Sequence, residues 1–315
     1  MHTRPVRCCV IGGAGFIGAH VTKLLAASGR DVTVLGRSKR PSPTLPEGVT
    51  YVSGDYSDQS TLRSLLSRAD SVVDLAYSTV PRTSFEDPIF DIVSNLPASV
   101  QLLQEAAAAR IRKLVLVSSG GTVYGVARSL PISEDHSTDP ISPYGITKLT
   151  IEKYARMFGV ASGLPIVIVR PGNAYGEGQH AFSGQGFIAT ALHSICRRQA
   201  VGVFGPRGSI RDYVYVEDVA RGIVAALDSG EAGEIYNIGT GEGRSNLDVL
   251  EVIKPHARAA GYELQTMTLP SRPFDVPANV LDSRKLAAVS GWKPSVTFPQ
   301  GIERAWRSVV DDPIR

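Results

Sequence analysis

The sequence predicts an α/β fold, namely a Rossmann-type doubly wound parallel sheet with a smaller C-terminal substrate-binding lobe. In the first half of the chain, short apolar runs alternate with helix-like segments. The runs are continuously apolar, as in strands covered on both faces, and a glycine-rich turn follows the first of them. The runs span residues 6–11, 31–35, 49–52, 71–75, 113–117 and 165–169.

A second lobe is expected because this alternation ends at Pro171, where turns rich in Gly and Pro begin. The length of 315 residues also favours two lobes, since a domain commonly contains about 150 residues. We expect a dinucleotide-binding domain at residues 1–170, to which 212–240 return through a helix at 217–228 and a strand at 234–238, and a substrate-binding lobe at 171–211 and 241–315.

Composition limits the classes of function open to the chain. The formal net charge is only +3 and the basic residues are scattered, which argues against a nucleic-acid partner. No apolar stretch reaches the roughly 20 residues of a membrane span, and the polar start leaves no room for a secretion signal. Cys8, Cys9 and Cys196 are expected to be reduced, buried thiols. These features predict a soluble cytoplasmic protein with neither a membrane partner nor a metal site.

The turn after the first apolar run predicts a dinucleotide site. Its sequence, Gly-Gly-Ala-Gly-Phe-Ile-Gly at 12–18, opens a helix. Gly12 and Gly15 would let a pyrophosphate approach the helix amino terminus, where free N–H groups and the helix dipole favour negative charge. Gly18 would let the helix pack closely on the sheet. The alternative is an ordinary glycine-rich turn between a strand and a helix.

The end of the second run bears on the choice between NAD and NADP. An acidic residue there would bind the adenosine ribose of NAD, but the sequence has Gly36 followed by Arg37. Arg37, with Lys39 or Arg40, could pair with the extra phosphate of NADP. A solvated basic loop in an NAD protein would satisfy the same pattern, so both cofactors stay open.

A tyrosine and a lysine are predicted to form the catalytic pair. Residues 142–148 open a helix that runs to about residue 159, which puts Tyr144 and Lys148 on one face, about 6 Å apart along the axis. A free phenol has a pKa near 10, and one ammonium about 4 Å away could lower it by roughly 3 units. Tyr144 could then act as a base near neutral pH. An isolated Tyr and Lys at this spacing would more often be a surface pair.

The chain resembles the extended short-chain dehydrogenase/reductases, and among them the nucleotide-sugar epimerases of the UDP-galactose (UDP-glucose) 4-epimerase type. The resemblance covers nearly the whole sequence. Its markers are residues 11–18, Val-Ser-Ser-Gly-Gly-Thr-Val-Tyr-Gly at 117–125, Tyr144 to Lys148, Arg-Pro-Gly-Asn-Ala-Tyr-Gly at 170–176, 211–219 and Arg-Pro-Phe-Asp at 272–275.

The resemblance implies a role for the catalytic pair and for the residues around the cofactor. Tyr144 would remove the proton of a sugar hydroxyl, and Lys148 would also hold the nicotinamide ribose. Asn95 would support the site, although it could equally cap a loop. The other residues implied to bind the cofactor are Phe16, Ile17, Asp55, Tyr56, Leu75, Ala76, Tyr77 and Ser118.

One position departs from the family pattern. Relatives usually carry Ser or Thr four residues before the tyrosine of the Tyr-Gly pair, where its hydroxyl bridges substrate and catalytic tyrosine, but this chain has Gly120. Ser119 or Thr122 could supply the hydroxyl, with Thr122 preferred, or a water could replace it. Either side chain could instead bond only to backbone. Because Gly121 and Thr122 are not acidic, dehydration and decarboxylation are not expected.

The family pattern also implies the substrate site. Arg211 and Arg272 would hold a nucleotide diphosphate, since guanidinium groups suit phosphate oxygens, and Asp275 would accept from the ribose. Asn173 would contact the sugar or a phosphate. Asn279 stands where some epimerases have a bulky Tyr, so we expect room for an N-acetyl group. As isolated residues, these could be ordinary surface groups.

The sequence therefore predicts a nucleotide-sugar 4-epimerase acting on UDP-hexoses, UDP-N-acetylhexosamines or both, through a transient 4-keto intermediate. The alternative within the same fold is an NADPH-dependent 4-keto-sugar reductase, which Arg37 favours. A cofactor-sensing regulator or scaffold is a third possibility, and intact Tyr144 and Lys148 argue against it. A homodimer is implied by the family resemblance alone.

Overall fold

The computed structural model of the protein describes residues 4–40, 45–182, 184, 186–272 and 275–311. Residues 273 and 274, within the 272–275 motif, lie outside the described residues. The strands of the described part are, in chain order, β1 (Arg7–Ile11), β2 (Asp31–Gly36), β3 (Thr50–Ser53), β4 (Ser71–Asp74), β5 (Lys113–Val117), β6 (Ile166–Pro171), β7 (Asn173–Tyr175), β8 (Val201–Phe204), β9 (Ile210–Tyr215), β10 (Ile235–Ile238), β11 (Gly243–Arg244), β12 (Thr266–Leu269) and β13 (Ala278–Asn279).

The helices of the same ranges connect these strands and cover both faces of the main sheet. They are α1 (Phe16–Ala27), α2 (Gln59–Leu66), α3 (Pro81–Glu86), α4 (Pro88–Ala108), α5 (Pro143–Ser162), α6 (Phe187–Cys196), α7 (Val216–Ser229), α8 (Asn246–Ala259), α9 (Arg284–Ser290) and α10 (Phe298–Asp311). Within these ranges, none of the helices has the length and apolar character needed to cross a membrane.

The main sheet confirms the predicted fold class. In the described part of the chain its strands run parallel in the order β10-β6-β5-β4-β1-β2-β3. The chain leaves β1 toward β2 on one side and returns as β4 on the other side. Ligands of open parallel sheets bind at the carboxyl ends of the strands beside such a reversal. The structure therefore locates a crevice above β1 and β4.

The strands are continuously apolar because each face of the sheet is covered by helices. Val10 of β1 packs into a core with Val21 of α1 and Ile223 of α7. The neighbouring Ile11 points to the opposite face, where it packs with Leu102 of α4 and Ile151 of α5. Successive side chains of a strand alternate between faces, so burial on both sides removes the alternation of polar and apolar residues.

The remaining strands and α6, α8 and α10 surround a third core, which contains Tyr175, Tyr213 and Ile302. Strand β9 joins β7, β11 and β13 in a second sheet, and β8 pairs with β12. The carboxylate of buried Asp212 in β9 accepts hydrogen bonds from the backbone N–H groups of Thr240, Gly241 and Leu281. These bonds fix the second sheet against the segment that follows β10.

Candidate active site

A cavity of about 310 Å³ lies at the carboxyl ends of β1, β2 and β4. Backbone and small side chains form most of its wall, because the strands end there in glycine-rich or alanine-containing loops. The sequence-predicted cofactor residues that line it are Gly12, Gly15, Arg37, Tyr56, Leu75, Ala76 and Tyr77. These residues come from four separate loops, and the parallel sheet brings them together at one edge.

The glycine loop in this cavity fits a dinucleotide pyrophosphate. Helix α1 starts at Phe16 after Gly15, and no side chain caps its amino terminus, so its first N–H groups are open to an anion. A Cβ at Gly12 would lie 3.1 Å from the backbone nitrogen of Ala76, and one at Gly18 would lie 2.1 Å from the carbonyl oxygen of Gly12. The loop can pass this closely only with glycine at both positions. Ile17 packs into the core instead.

The end of the cavity next to β2 contains Arg37, and position 36 before it is a glycine and not an acidic residue. A Cβ on Gly36 would lie 2.8 Å from the hydroxyl of Tyr51, so Tyr51 occupies the space that a side chain there would need. Asp55 is not among the described lining residues; its carboxylate accepts from the backbone of Ser57 at 2.8 Å, and this bond holds its pKa below the usual value. The Asp55 carboxylate thus faces its own turn.

The predicted catalytic pair lies in the first turns of α5, where both residues contact Tyr77, which lines this cavity. The Ser142 side chain caps the helix by accepting from the backbone of Gly145 at 3.1 Å, and the backbone N–H of Tyr144 donates to the hydroxyl of Ser84 at 3.1 Å. Lys148 Nζ donates to the Val117 carbonyl at 2.9 Å. These bonds fix the backbone at Tyr144 and the side chain of Lys148, which follows one helical turn later.

Burial has the largest effect on the pKa of both Tyr144 and Lys148. It raises the pKa of Tyr144; the Asp91 carboxylate raises that pKa further, whereas a hydrogen bond with Ser119 lowers it. Burial also lowers the pKa of Lys148 to about 8, although the carboxylates of Asp74, Glu152 and Asp91 oppose this. Lys148 Nζ lies 5.9 Å from the centre of the Tyr144 ring. The protein groups by themselves therefore favour a protonated Tyr144.

The departure at position 120 has a steric cause. A Cβ on Gly120 would lie 2.5 Å from Leu281 Cδ1 and 2.9 Å from the carbonyl oxygen of Arg170, so no side chain fits there. Ser119 hydrogen bonds with Tyr144 and lines a second cavity, which also contains Arg211 and Arg272. Thr122 lines the same cavity, but its buried hydroxyl has no hydrogen-bond partner among the described residues. Ser119 is therefore the hydroxyl that contacts Tyr144, and the choice between Ser119 and Thr122 as the group that acts on the substrate stays a prediction.

Ser118 and Asn95 stabilise the segments that surround the predicted site. Ser118 donates to the carboxylate of Glu152, which forms a buried ion pair with Arg170, and none of the three side chains is more than 5% exposed. Asn95 accepts from the backbone N–H of Ser78 at 2.7 Å. Asn95 therefore holds the loop that follows β4, and Ser118 ties the end of β5 to α5.

Sequence reasoning missed Asp91, although one signal could have found it. Asp91 lies four residues before Asn95 on α4, and residues with this spacing share a helix face. Its carboxylate accepts hydrogen bonds from Thr147 at 2.6 Å, from Thr79 and, at 3.4 Å, from Tyr77. The Tyr77 ring centre is 4.1 Å from Lys148 Nζ, and the Tyr77 and Tyr144 rings meet edge to face at 4.9 Å.

This second cavity has a volume of about 350 Å³, and the loops that follow β5 and β6 line it together with residues of α6, β8 and β9. Five residues of the predicted site line it, namely Ser119, Asn173, Arg211, Arg272 and Asp275. Arg211 donates to the carbonyl of Val276 at 2.7 Å, and its Nη2 lies 4.0 Å from the carboxylate of Asp275. The arrangement offers two cations and a carboxylate acceptor in the same cavity as Ser119.

Two basic side chains of this cavity are kept in place by their surroundings. The Arg272 guanidinium lies 3.5 Å from the centre of the Phe204 ring, a cation–π contact that orients its plane. Burial lowers the pKa values of both Arg272 and Arg211, and the Asp275 carboxylate opposes this. Planar, held guanidinium groups are well suited to phosphate oxygens.

Asn279 is not among the described residues that line the cavity. It lies in β13 and is 1% exposed, and its Nδ2 donates to the carbonyl of Gly120 at 2.8 Å. Its Oδ1 is buried without a hydrogen-bond partner in the described part of the chain. The structure thus puts Asn279 behind the loop that carries Ser119, where it can shape the sugar site only through that loop.

Comparisons with known proteins agree with this geometry. Residues 8–239 match the model of the NAD dependent epimerase/dehydratase family. The UDP-glucose 4-epimerase of Mycolicibacterium smegmatis is 32% identical, with 95% of this chain and 97% of the relative covered.

Two solved structures have nearly the same backbone. The UDP-glucose 4-epimerase of Thermotoga maritima, solved with UDP-glucose, has a TM-score of 0.92 at 30% identity, covering 98% of this chain and 100% of that chain. The Thermus thermophilus enzyme, solved with NAD, has a TM-score of 0.88 at 34% identity, covering 96% and 98%. The chain belongs to the NAD dependent epimerase/dehydratase family.

Proposed function

We propose that the protein is an NAD-dependent nucleotide-sugar 4-epimerase that acts on UDP-hexoses, UDP-N-acetylhexosamines or both. The observation that carries this proposal is the position of Tyr144. Its ring contacts Tyr77, which lines the cavity that fits a dinucleotide, and its side chain hydrogen bonds with Ser119, which lines the cavity that also contains Arg211 and Arg272. A substrate that carries both a diphosphate and a reacting hydroxyl matches this combination of groups. Relatives with UDP-glucose 4-epimerase activity support the same conclusion.

Each residue of the predicted site has a separate role in the proposed reaction. Tyr144 takes the proton from the sugar O4 and later returns it to the carbonyl oxygen of the 4-keto intermediate. Ser119 orients that oxygen toward Tyr144, and Lys148 binds the nicotinamide ribose and favours the phenolate. When bound, the nicotinamide ring would supply the acceptor and donor for the hydrogen at C4. Arg211 and Arg272 hold the diphosphate while the sugar ring rotates between removal and return of the hydrogen at C4.

Turnover of UDP-sugars with no added cofactor tests this proposal. An epimerase regenerates its cofactor in each cycle, so purified protein loaded with NAD should interconvert UDP-glucose and UDP-galactose, or their N-acetyl forms. Turnover of UDP-glucose alone in such a panel would contradict the N-acetyl part of the proposal. That part rests on the small side chain of Asn279, which acts through the loop at Gly120.

The 4-keto-sugar reductase stays the second candidate, because Arg37 lines the dinucleotide cavity next to Gly36. A reductase of this kind consumes one NADPH for each sugar. Oxidation of NADPH in proportion to a 4-keto sugar, without interconversion of UDP-hexoses, would favour it over the epimerase.

We also propose that two copies of the chain associate through α4 and α5, which pack against each other. Their outer face exposes apolar side chains, which exclude water only if another surface covers them. These are Ile89, Phe90, Ile92, Val93, Ile146, Met157 and Val160, of which Val160 is 91% exposed. Light scattering should give twice the chain mass, and Val93→Glu should give the mass of one chain. We expect this dimer in the cytoplasm, with a UDP-sugar as its ligand.

A further inference from the structure

The carboxylate of Asp91 is held in an unusual way for a buried anion. Its side chain is 0% exposed, and hydroxyl groups from the β4–α3 loop and from α5 donate to it: Tyr77 Oη at 3.4 Å, Thr79 Oγ1, and Thr147 Oγ1 at 2.6 Å. In the described part of the chain no Lys, Arg or His forms an ion pair with it. A buried carboxylate is usually neutralised by a cation, and here hydroxyl donors take that place.

The other acidic groups near the catalytic pair are arranged differently. Glu152 of α5 is neutralised by a bidentate contact with Arg170 of β6. Asp74 of β4 accepts from the backbone of Ala76 at 3.1 Å, and burial raises its pKa to about 6. Asp91 acts on both members of the pair, because its negative charge raises the pKa of Tyr144 and also that of Lys148.

Asp91 also accepts hydrogen bonds from two residues that contact or adjoin Tyr144 and Lys148. Tyr77, which donates to Asp91, lies between them, with its ring 4.1 Å from Lys148 Nζ and edge to face with Tyr144. Thr147, which donates to the other carboxylate oxygen, immediately precedes Lys148 on α5. Asp91 thus fixes the loop and the helix turn that carry the catalytic pair.

We propose that Asp91 is a positioning residue that sets the proton balance of Tyr144, so that the same tyrosine can both take a proton and return it. This proposal rests on the proposed 4-epimerase function. The ammonium of Lys148 and a positively charged nicotinamide ring both favour the phenolate. With these charges alone, Tyr144 would lose its own proton easily, but its phenolate would be a weak base and would remove the proton from the sugar O4 slowly. The negative charge of Asp91 offsets them by raising the basicity of Tyr144, so that proton removal and proton return proceed at comparable rates.

Asp91→Asn in the NAD-loaded protein tests this inference, since it removes the charge and keeps the shape. The pKa of Tyr144 should fall by about one unit, as expected for loss of a nearby like charge. It is measured from the ultraviolet absorbance of tyrosinate, as a difference from the same protein with Tyr144→Phe. The low-pH limb of kcat/KM should shift in the same direction. With a UDP-sugar present, the fraction of reduced cofactor should fall, because a less basic Tyr144 removes the proton from O4 less favourably.

Matched variants separate charge from packing. Glu105→Gln makes the same chemical change on the same helix, where Glu105 binds Arg63 instead, and it should leave the Tyr144 titration unchanged. Asp91→Glu keeps the charge and should keep the pKa of Tyr144 near its original value. Asp91→Ser removes the charge with a smaller side chain, and it carries the test should Asp91→Asn fail to fold.

A folded Asp91→Asn or Asp91→Ser protein with an unchanged Tyr144 titration would overturn the inference, as would an upward shift. The tyrosinate measurement needs no turnover. Its result is therefore distinguishable from failure of the proposed epimerase function, which the UDP-sugar assay reports separately.

Discussion

Tyr144 connects two cavities, because its ring contacts Tyr77 in one and its side chain hydrogen bonds with Ser119 in the other, and the two are built in different ways. The dinucleotide cavity is lined by the ends of adjacent parallel strands, where glycines such as Gly12 and Gly15 expose backbone groups. The substrate cavity is lined by residues from distant segments, and its charged groups, such as Arg211 and Arg272, are on side chains. A backbone site tolerates change in most neighbouring side chains, whereas a side-chain site loses affinity when one group is removed. The following substitutions should affect one cavity and spare the other.

Tyr144→Phe should have the largest effect. It removes the only hydroxyl that we propose for proton transfer, so kcat should fall by about 10³-fold, within the range for loss of a general acid–base group. Binding of NADH, measured by fluorescence titration, should change little because the dinucleotide cavity is intact. Residual turnover within tenfold of the unchanged protein would rule out Tyr144 as the base.

Arg272→Ala should weaken substrate binding without affecting the cofactor. Charge-assisted hydrogen bonds contribute about 1.5–3 kcal/mol, which corresponds to roughly 10- to 100-fold weaker binding of UDP by calorimetry. Arg207→Ala is a matched control in the same lobe, because Arg207 is exposed and pairs with Asp248. Equal losses in the two variants would show that general charge, and not the contact on Phe204, drives binding.

Ser119→Ala and Thr122→Ala should separate the two candidate hydroxyls. Ser119 hydrogen bonds with Tyr144, so its loss should lower kcat by about tenfold or more, the cost of one hydrogen bond to a charged group. Thr122→Ala should lower kcat by less than about threefold, since its hydroxyl bonds to none of the described residues. The opposite order would favour Thr122 as the group that acts on the substrate.

Arg37→Ala should have the smallest effect on an NAD enzyme. The backbone wall around Gly12 and Gly15 would hold the pyrophosphate, so NADH affinity should change by less than about threefold. NADPH affinity should fall by at least about tenfold if Arg37 pairs with the extra phosphate. NADH binding at least tenfold tighter than NADPH in the unchanged protein would exclude the preference for NADP.

The same contrast explains what could be predicted from the sequence. The parallel sheet and the dinucleotide loop depend on local patterns, such as the apolar run before Gly12, and the fold class was confirmed. The start of α5 could also be predicted from the sequence, because Ser142 and Pro143 are typical of a helix amino terminus. Helix geometry alone puts Tyr144 and Lys148 on one face, whereas their catalytic role stays a prediction.

Long-range packing decided the details that the sequence did not reveal. Leu281 and the carbonyl of Arg170, both distant in sequence, exclude any side chain at Gly120. Asn279 lies behind the loop at Gly120 because its amide donates to the Gly120 carbonyl, a contact between residues far apart in the sequence. Asp91 was missed because an acidic residue on an amphipathic helix is usually solvated, and only the tertiary fold shows three hydroxyls around it.

The central claim is that the hydrogen at C4 of the sugar is removed and returned within one active site. A UDP-hexose carrying deuterium at C4, incubated in ordinary water with NAD-loaded protein, tests this most directly. We predict a product inverted at C4 that retains the deuterium, formed about 10³-fold more slowly by the Tyr144→Phe protein. Inversion with loss of deuterium to solvent, or inversion at another carbon, would contradict it.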